Sequence, residues 1–109
     1  MESRIYCCGM AKVKHIGLIK FKEGTSEEQI NNLFDQLLEL TENIDGIQDY
    51  VSGPNTSTEG FNQGLTHGFI MTFTDAAALS AYLPHPEHQR FKELILPLTE
   101  SVVIFDFEV

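Results

Sequence analysis

From Lys12 onward, the spacing of hydrophobic residues switches between the two-residue period of a strand and the 3.6-residue period of a helix. Along the chain these patterns predict a strand, a helix, two strands, a helix and a final strand. This βαββαβ order, with one long helix in each half, is typical of a ferredoxin-like α+β sandwich. The sequence therefore predicts a single sheet with its helices packed on one face.

The first half of the pattern contains a strand and an amphipathic helix. The strand, KVKHIGLIKF, is largely apolar on both sides, which predicts that both sides are covered. Thr25 and Glu28 fit a capping box at the start of the helix, and Gly46 fits its end. The spacing between them predicts one apolar helix face, formed by Ile30, Leu33, Phe34, Leu37, Leu38 and Thr41.

The second half contains the remaining strands and helices. The segments IQDYVSG and LTHGFIMTFT are predicted strands, separated by a loop rich in Gly, Asn, Ser and Thr. Asp75 caps a short predicted helix, and Pro86 begins a longer one, because proline suits the first helical position. A C-terminal strand, SVVIFDFEV, follows that helix. The longer helix is predicted to turn these side chains inward: Phe91, Leu94, Ile95 and Leu98.

The sheet face without helices should also carry apolar residues, and a large apolar surface is unfavourable in water. Two copies that pair through these faces would bury it, so we expect a homodimer that forms a dimeric α+β barrel. Residues 12–109 are expected to form this single domain, because their number is typical of one domain. Residues 1–11 are expected to form an N-terminal extension outside the fold.

The charge balance and the cysteines restrict the possible partners. The chain has 7 basic and 16 acidic residues, a formal charge of −9, which opposes binding to phosphate backbones and anionic lipids. Neither nucleic acid nor a membrane is therefore expected as a partner. Cys7 and Cys8 are adjacent, and there is no second pair to complete a zinc site. We expect a cytoplasmic protein with no metal and no other cofactor.

The segment YLPHPEHQRF holds the strongest candidates for catalysis. His85 is the predicted N-cap before Pro86, and His88 falls in the first turn, where the helix dipole disfavours an imidazolium. A neutral histidine can act as a general base, and Tyr82 could orient it or polarise a carbonyl oxygen. In the alternative interpretation, His85 caps the helix, His88 faces solvent and Tyr82 packs where two helices meet.

The two remaining histidines lie on predicted strands. His15 is on the first strand, and His67 shares one side of the third strand with Phe69 and Met71. Glycines beside both histidines leave room for a cavity. The candidate pocket or ligand-binding residues are therefore His15, His67, Phe69 and Met71. The alternative is that each histidine is a satisfied core or edge residue, which is the commoner use of a single strand histidine.

Four segments together resemble the stress-responsive α/β-barrel (Dabb) domain family. They are VKHIGLIKFK, QGLTHGFIMTFTD, YLPHPEHQRF and VVIFDFEV, and the resemblance covers essentially all of residues 12–109. It implies a ferredoxin-like chain that pairs through its sheet into a dimeric barrel. That implication agrees with the fold expected from the hydrophobic patterns.

The resemblance also implies a chemistry. In plant polyketide cyclases of this family, a histidine–tyrosine pair promotes the aldol cyclisation of a linear polyketide thioester. That pair matches His88 and Tyr82, and two further pocket histidines match His15 and His67.

This sequence departs from the cyclases at several positions. Leu33 and Leu37 stand where the cyclases place aromatic pocket residues. Glu87, between Pro86 and His88, adds a charge near the expected entrance. These differences predict a ligand other than the cyclase substrate, or no reaction at all.

Three functions follow from these observations. The first is a cyclase-like or isomerase-like enzyme, in which His88 removes a proton next to a carbonyl and Tyr82 stabilises the oxyanion. Its ligand would be a small hydrophobic carbonyl compound. The second is a non-catalytic dimeric module for stress response or ligand binding, which an interior filled by Phe69 and Met71 would favour. The third is haem binding, as in related dimeric barrels, although no residue here marks a porphyrin site.

Overall fold

The computed structural model of the protein describes residues 11–109. Its ferredoxin-like α+β fold confirms the predicted class. The prediction for residues 1–10 lies outside the described residues, whereas Ala11, expected to precede the fold, is buried. The elements, in chain order, are β1 (Val13–Phe21), α1 (Glu27–Asn43), β2 (Ile47–Pro54), β3 (His67–Phe73), α2 (Ala76–Tyr82), α3 (Pro86–Ile95), a 3-10 turn (Leu96–Leu98) and β4 (Thr99–Glu108).

The four strands form one antiparallel sheet in the order β2-β3-β1-β4. Strand β1 is central, and its register places His15 opposite Met71 of β3 and Asp106 of β4. Residues directly opposite one another in a sheet point to the same side. This register therefore brings residues that are distant in sequence to one position on the helix-covered side.

The helices cover one side of the sheet and enclose the core. On β1, every second residue from Val13 to Phe21 is buried against them, whereas the other side of β1, which was also predicted to be covered, includes Leu18 at 38% exposure. On β3, Phe69, Met71 and Phe73 are buried on the same side. Most of the buried strand residues therefore lie on the helix-covered side, and Thr72 of β3 is buried on the other side.

The capping box of α1 begins one residue later than predicted. Ser26 Oγ accepts a hydrogen bond from the Gln29 amide at 3.1 Å, and Gln29 Oε1 accepts one from the Ser26 amide at 2.9 Å. The Thr25 hydroxyl instead donates to the Lys22 carbonyl oxygen at 2.8 Å and holds the preceding turn. The sequence TSEEQ satisfies the capping pattern in both registers, so spacing alone did not separate them.

Two apolar side chains expected in the core are exposed. Leu38 and Leu94 are 44% and 43% exposed, whereas Leu40, outside the expected face, is buried. Consecutive helical residues are about 100° apart around the axis. Leu38 and Leu94 each adjoin a buried residue, Leu37 and Ile95, and are therefore turned away from the sheet.

The other side of the sheet carries apolar residues that α1, α2 and α3 do not cover. We call this surface the outer face. Its exposed apolar members are Leu18, Val51, Ile70, Val103, Phe105 and Phe107. Contiguous apolar surface of this kind marks an interaction site more often than a free surface.

Candidate active site

A cavity of about 280 Å³ lies between the sheet and helices α2 and α3. Most of its wall is apolar, and the polar side chains that line it are two histidines, a tyrosine and a lysine. The lining residues are His15, Ile19, Leu37, Phe69, Tyr82, Leu83, His88, Phe91, Lys92, Ile95, Leu96, Val102 and Ile104. Typical pockets for drug-sized ligands occupy about 300–1,000 Å³, so this cavity suits a small molecule.

The cavity is deep on one side and open on the other. His15 and Tyr82 are 4% and 2% exposed and lie at its bottom. Leu83, Leu96 and Ile104, which also line it, are 44%, 49% and 50% exposed. The opening therefore lies between the ends of the helices and the edge strand β4.

The start of α3 fixes the position of His88. Pro86 occupies the first turn, and the Nδ1 atom of His85 accepts a hydrogen bond from the Glu87 amide at 3.0 Å. This confirms His85 as the predicted N-cap. Because Nδ1 of His85 accepts, a neutral His85 carries its hydrogen on Nε2.

His88 is oriented by a backbone carbonyl. Its Nδ1 atom lies 2.9 Å from the Leu83 carbonyl oxygen, which also accepts from the Gln89 amide nitrogen Nε2 at 2.7 Å. A carbonyl oxygen can only accept, so Nδ1 of His88 carries the hydrogen and a neutral ring leaves a lone pair on Nε2. This is the tautomer that a general base at Nε2 requires.

Burial lowers the pKa of His88 below its usual value of 6.5. The hydrogen bond to Leu83 opposes this effect, and the positive charge of Lys92 adds to it, as do the neighbouring His15 and His85 when protonated. His88 is therefore neutral at pH 7 and can accept a proton.

Tyr82 is in close contact with His88. The centres of the two rings are 4.3 Å apart, and Phe73 holds the other side of the tyrosine ring at 5.2 Å. Burial strongly raises the pKa of Tyr82 above its usual value, and Tyr50 contributes in the same direction. Tyr82 therefore keeps its hydroxyl hydrogen and can donate it to an oxygen atom in the cavity.

His15 contacts Asp106, an acidic residue that was not predicted from the sequence as part of the site. Its Nδ1 atom lies 2.6 Å from Oδ1 of Asp106, which is directly opposite on β4. Because the carboxylate accepts the hydrogen on Nδ1, this contact leaves the second nitrogen of His15 unused. The ring centre is 6.0 Å from that of Tyr82. The sequence does show an acidic residue, Asp106, in the C-terminal strand, but only the register of the sheet places it opposite His15.

Gly17 shapes the wall of the cavity beside His15. A Cβ atom at this position would lie 2.2 Å from Cε2 of Phe69, far inside van der Waals contact. The absent side chain lets the phenylalanine ring lie across the strand. Phe69 therefore lines the cavity as predicted, and the space next to Gly17 is filled by its ring.

Two residues expected beside this cavity lie elsewhere. Met71 is 0% exposed and belongs to the core. His67 is opposite Ile19 on β1, whereas Met71 is opposite His15, so the two pairs are four residues apart. Because a strand rises about 3.3 Å per residue, His67 is about 13 Å from the position of His15 along the sheet.

His67 has its own surroundings near the start of α1. Its ring stacks on Phe34 at 5.8 Å between centres, and its Nδ1 atom lies 2.8 Å from the Thr66 hydroxyl oxygen. Burial lowers its pKa, and Glu27 opposes the effect. These contacts match the alternative of a packed edge histidine.

Two general findings concern cations and membranes. Within residues 11–109, no three His, Cys, Asp or Glu side chains come together as metal ligands would. No helix in the same part of the chain combines the length and apolar character needed to cross a bilayer.

Comparison with known proteins places these features in a family. The family model for the Stress responsive A/B Barrel Domain matches residues 13–109. The stress-response A/B barrel domain-containing protein HS1 of Arabidopsis thaliana is 33% identical over 96 residues, which cover 88% of this chain and 88% of that protein. Olivetolic acid cyclase of Cannabis sativa is 28% identical over 95 residues, 87% of this chain and 94% of the cyclase.

A solved structure shares the whole architecture. A dimeric ferredoxin-like protein of unknown function from Jannaschia sp. CCS1 has a TM-score of 0.81 and 27% sequence identity, over 90% of this chain and 99% of that chain. The family model spans almost all the described residues, and the relatives match over most of their own lengths. The chain belongs to the stress-responsive A/B barrel (Dabb) domain family.

Proposed function

We propose that this protein is a small-pocket enzyme of the cyclase or isomerase type, which moves a proton on a carbon next to a carbonyl group. The observation that carries the proposal is the hydrogen bond from Nδ1 of His88 to the Leu83 carbonyl. It leaves Nε2 as the basic atom of a neutral histidine that lines the cavity. His88 is therefore the proposed general base.

In the proposed reaction, Nε2 of His88 takes a proton from the carbon next to a carbonyl group. The electron pair of that C–H bond moves toward the carbonyl oxygen and forms an enolate. Tyr82, which keeps its hydrogen, donates a hydrogen bond to the developing negative charge. In a ketone with a double bond conjugated to the enolate, return of the proton from His88 to the far carbon of that double bond gives an isomer. Attack of the enolate carbon on a second carbonyl closes a ring, and the new alkoxide takes the proton back from His88.

His15 is the proposed second polar group at the bottom of the cavity. Its contact with Asp106 holds the ring in one orientation. It is 6.0 Å from Tyr82 between ring centres, so both can face one bound ligand. Phe69 supplies an apolar wall next to them.

Similarity to olivetolic acid cyclase supports this class of reaction. The relative's name describes a cyclisation, and the alignment covers 94% of the cyclase at 28% identity. The small size and apolar wall of the present cavity favour a compact hydrophobic carbonyl compound. We propose a cyclase-like chemistry on such a compound.

A test of the function follows the proton directly. A panel of ketones, β-keto esters and linear β-polyketones is incubated with the protein in D2O, and deuterium at the carbon next to the carbonyl is followed by NMR. His88→Ala is expected to lower the exchange rate about 10²- to 10⁴-fold. Tyr82→Phe, which removes one donor to the oxyanion, is expected to lower it about 10²- to 10³-fold.

His67→Ala is the matched control, since it removes a histidine that lies outside the cavity. It should exchange deuterium at close to the rate of the unaltered protein, with the same dimer mass. An unchanged rate in His88→Ala would exclude His88 as the base.

The second candidate is a non-catalytic module that binds a small apolar ligand. The apolar wall of the cavity favours it, because burial of ligand surface there needs no chemistry. The cavity beside Phe69 offers the space that such a ligand would need. Binding of panel compounds without any deuterium exchange would support this candidate over the enzyme.

We also propose that two copies pair through the outer face. Its six exposed apolar side chains include Val103, Phe105 and Phe107 on one edge strand. A protein with the same fold and 27% identity is described as dimeric. The cavity lies on the opposite, helix-covered side, so the dimer leaves its opening clear of the sheet-to-sheet contact.

A further inference from the structure

We propose that the ligand of this cavity carries a carboxylate group, which Lys92 binds at the rim beside His88. This inference rests on the proposed function, because it names the class of carbonyl compound that the same site accepts: a small keto acid. The observations that carry it are the place of Lys92 in the cavity wall and the separation of charges around α3.

Lys92 and His88 lie on the same side of α3. They are four residues apart, which brings side chains together on one helix face. Both line the cavity, while the rest of its wall is mostly apolar. The lysine is half-buried, so its ammonium group stands at the edge of an apolar surface.

Neither acidic residue of α3, Glu87 or Glu93, forms an ion pair with Lys92. Glu87 forms an ion pair with Arg90 and lines a separate groove between α1 and α3. Among residues 11–109, the ion pairs are His15–Asp106, Lys20–Glu100 and Arg90–Glu87, and none of them includes Lys92. The negative charge of Glu87, which was expected near the entrance, is thus on the other side of α3. On the cavity side, α3 carries the positive charge of Lys92.

A carboxylate matches this site better than a phosphate. A carboxylate carries one negative charge, which a single lysine can balance, whereas a phosphate monoester carries about −1.5 to −2 at pH 7 and needs further donors. The remaining polar groups lie deeper, where the carbonyl must bind for His88 and Tyr82 to act on it. One end of the ligand would therefore contact Lys92 and the other would reach Tyr82.

Binding of a carboxylate would also raise the pKa of His88. The positive charge of Lys92 is one of the groups that make protonation of His88 less favourable. A bound carboxylate would offset that charge, so His88 would become a stronger base when the site is occupied. This gives the proposal a second, spectroscopic readout.

The test uses a stable keto acid and its uncharged counterpart, 4-oxo-4-phenylbutanoate and its methyl ester. Affinities are measured by NMR titration, and the pH midpoint of the His88 Cε1 proton is followed with and without each compound. The acid should bind about tenfold or more tightly than the ester, as a charge-assisted hydrogen bond requires. It should also raise the His88 midpoint, which the ester should leave unchanged.

Three variants connect the preference to Lys92. Lys92→Met should remove both the preference and the shift of the midpoint, while Lys92→Arg should keep the preference. Lys22→Met is the matched control, because it removes the same charge from an exposed position outside the cavity. It should behave as the unaltered protein does.

Several results would overturn the proposal. These are equal or tighter binding of the ester, a preference that survives in Lys92→Met, tighter binding of phenyl phosphate than of the keto acid, or no binding of the acid at millimolar concentration. Failure of the proposed function looks different. A Lys92-dependent preference for the acid without any deuterium exchange would support the ligand class and reject the proton transfer. Deuterium exchange in neutral ketones without a preference for the acid would support the proton transfer and reject the ligand class.

Discussion

His85 and His88 use the same ring nitrogen in opposite ways. Nδ1 of His85 accepts a hydrogen bond from the Glu87 amide, so that atom is occupied by the helix cap. Nδ1 of His88 donates to the Leu83 carbonyl, so its lone pair is on Nε2. The first arrangement stabilises the N-terminal end of α3, and the second leaves Nε2 of His88 free for the proposed proton transfer.

The lowered pKa of His88 predicts how activity depends on pH. The ring faces Tyr82, Lys92, His15 and His85, none of which adds a negative charge at neutral pH. Exchange should therefore be constant from pH 8 to pH 7 and fall only below about 6.5 as the base is protonated. The measurement is the pH profile of kcat/KM for deuterium exchange; a midpoint above 6.5 would contradict the lowered pKa.

The same pKa predicts a loss of stability in acid. Because the folded pKa lies below the unfolded value of 6.5, the unfolded chain takes up the proton first as the pH falls. The contribution of His88 is thus complete above 6.5 and is lost as the pH decreases through the folded pKa. Urea unfolding gives the free energy of unfolding at pH 7.5 and at pH 5. The difference between these two values should be smaller in His88→Gln than in the unaltered protein, and an identical difference would exclude this contribution.

At the scale of elements, α3 depends on its cap for the position of His88. His85→Ala removes the side chain that accepts from the Glu87 amide and should lower the free energy of unfolding by about 1 kcal/mol. His85→Asn supplies another capping oxygen and should restore most of that loss. Chemical denaturation measures both. A loss in His85→Asn as large as in His85→Ala would show that the cap is not the cause.

Local signals in the sequence were sufficient to predict α3 and its cap. Pro86 and the residue before it have their effect within one turn, so His85 and His88 could be assigned from spacing. The pairing of His15 with Asp106 could not, because the alternating pattern indicates which side of each strand is buried but not the offset between two strands about 90 residues apart. The distance of His67 from His15 has the same origin, since the pattern places both on one side of the sheet but does not fix how far apart they lie along it.

At the scale of the whole molecule, the outer face should control assembly. Phe105 is 62% exposed in one copy, so Phe105→Glu should fold normally but place a charge in the sheet-to-sheet contact. Loss of a buried phenylalanine costs about 1.5–3 kcal/mol, and a symmetric dimer loses it twice, so the dissociation constant should rise about 10²- to 10⁴-fold.

Light scattering after size exclusion distinguishes the outcomes. The unaltered chain should have twice the 12.3 kDa mass of one copy, and Phe105→Glu should approach 12.3 kDa at micromolar concentration. Leu38→Glu is the control, because Leu38 is similarly exposed on α1 and lies away from the sheet. A stable dimer of Phe105→Glu would place the contact elsewhere.

The cavity is lined by α1, α2, α3, the 3-10 turn and the strands of a single copy, on the side of the sheet opposite the proposed contact. In the proposed dimer, each subunit therefore carries its own His15, Tyr82, His88 and Lys92. With the proposed function, a mixed pair of an intact and an inactivated chain should keep the activity of its intact half. Inactivation of one gene copy should then lower the total activity in proportion, without inhibiting the product of the other copy.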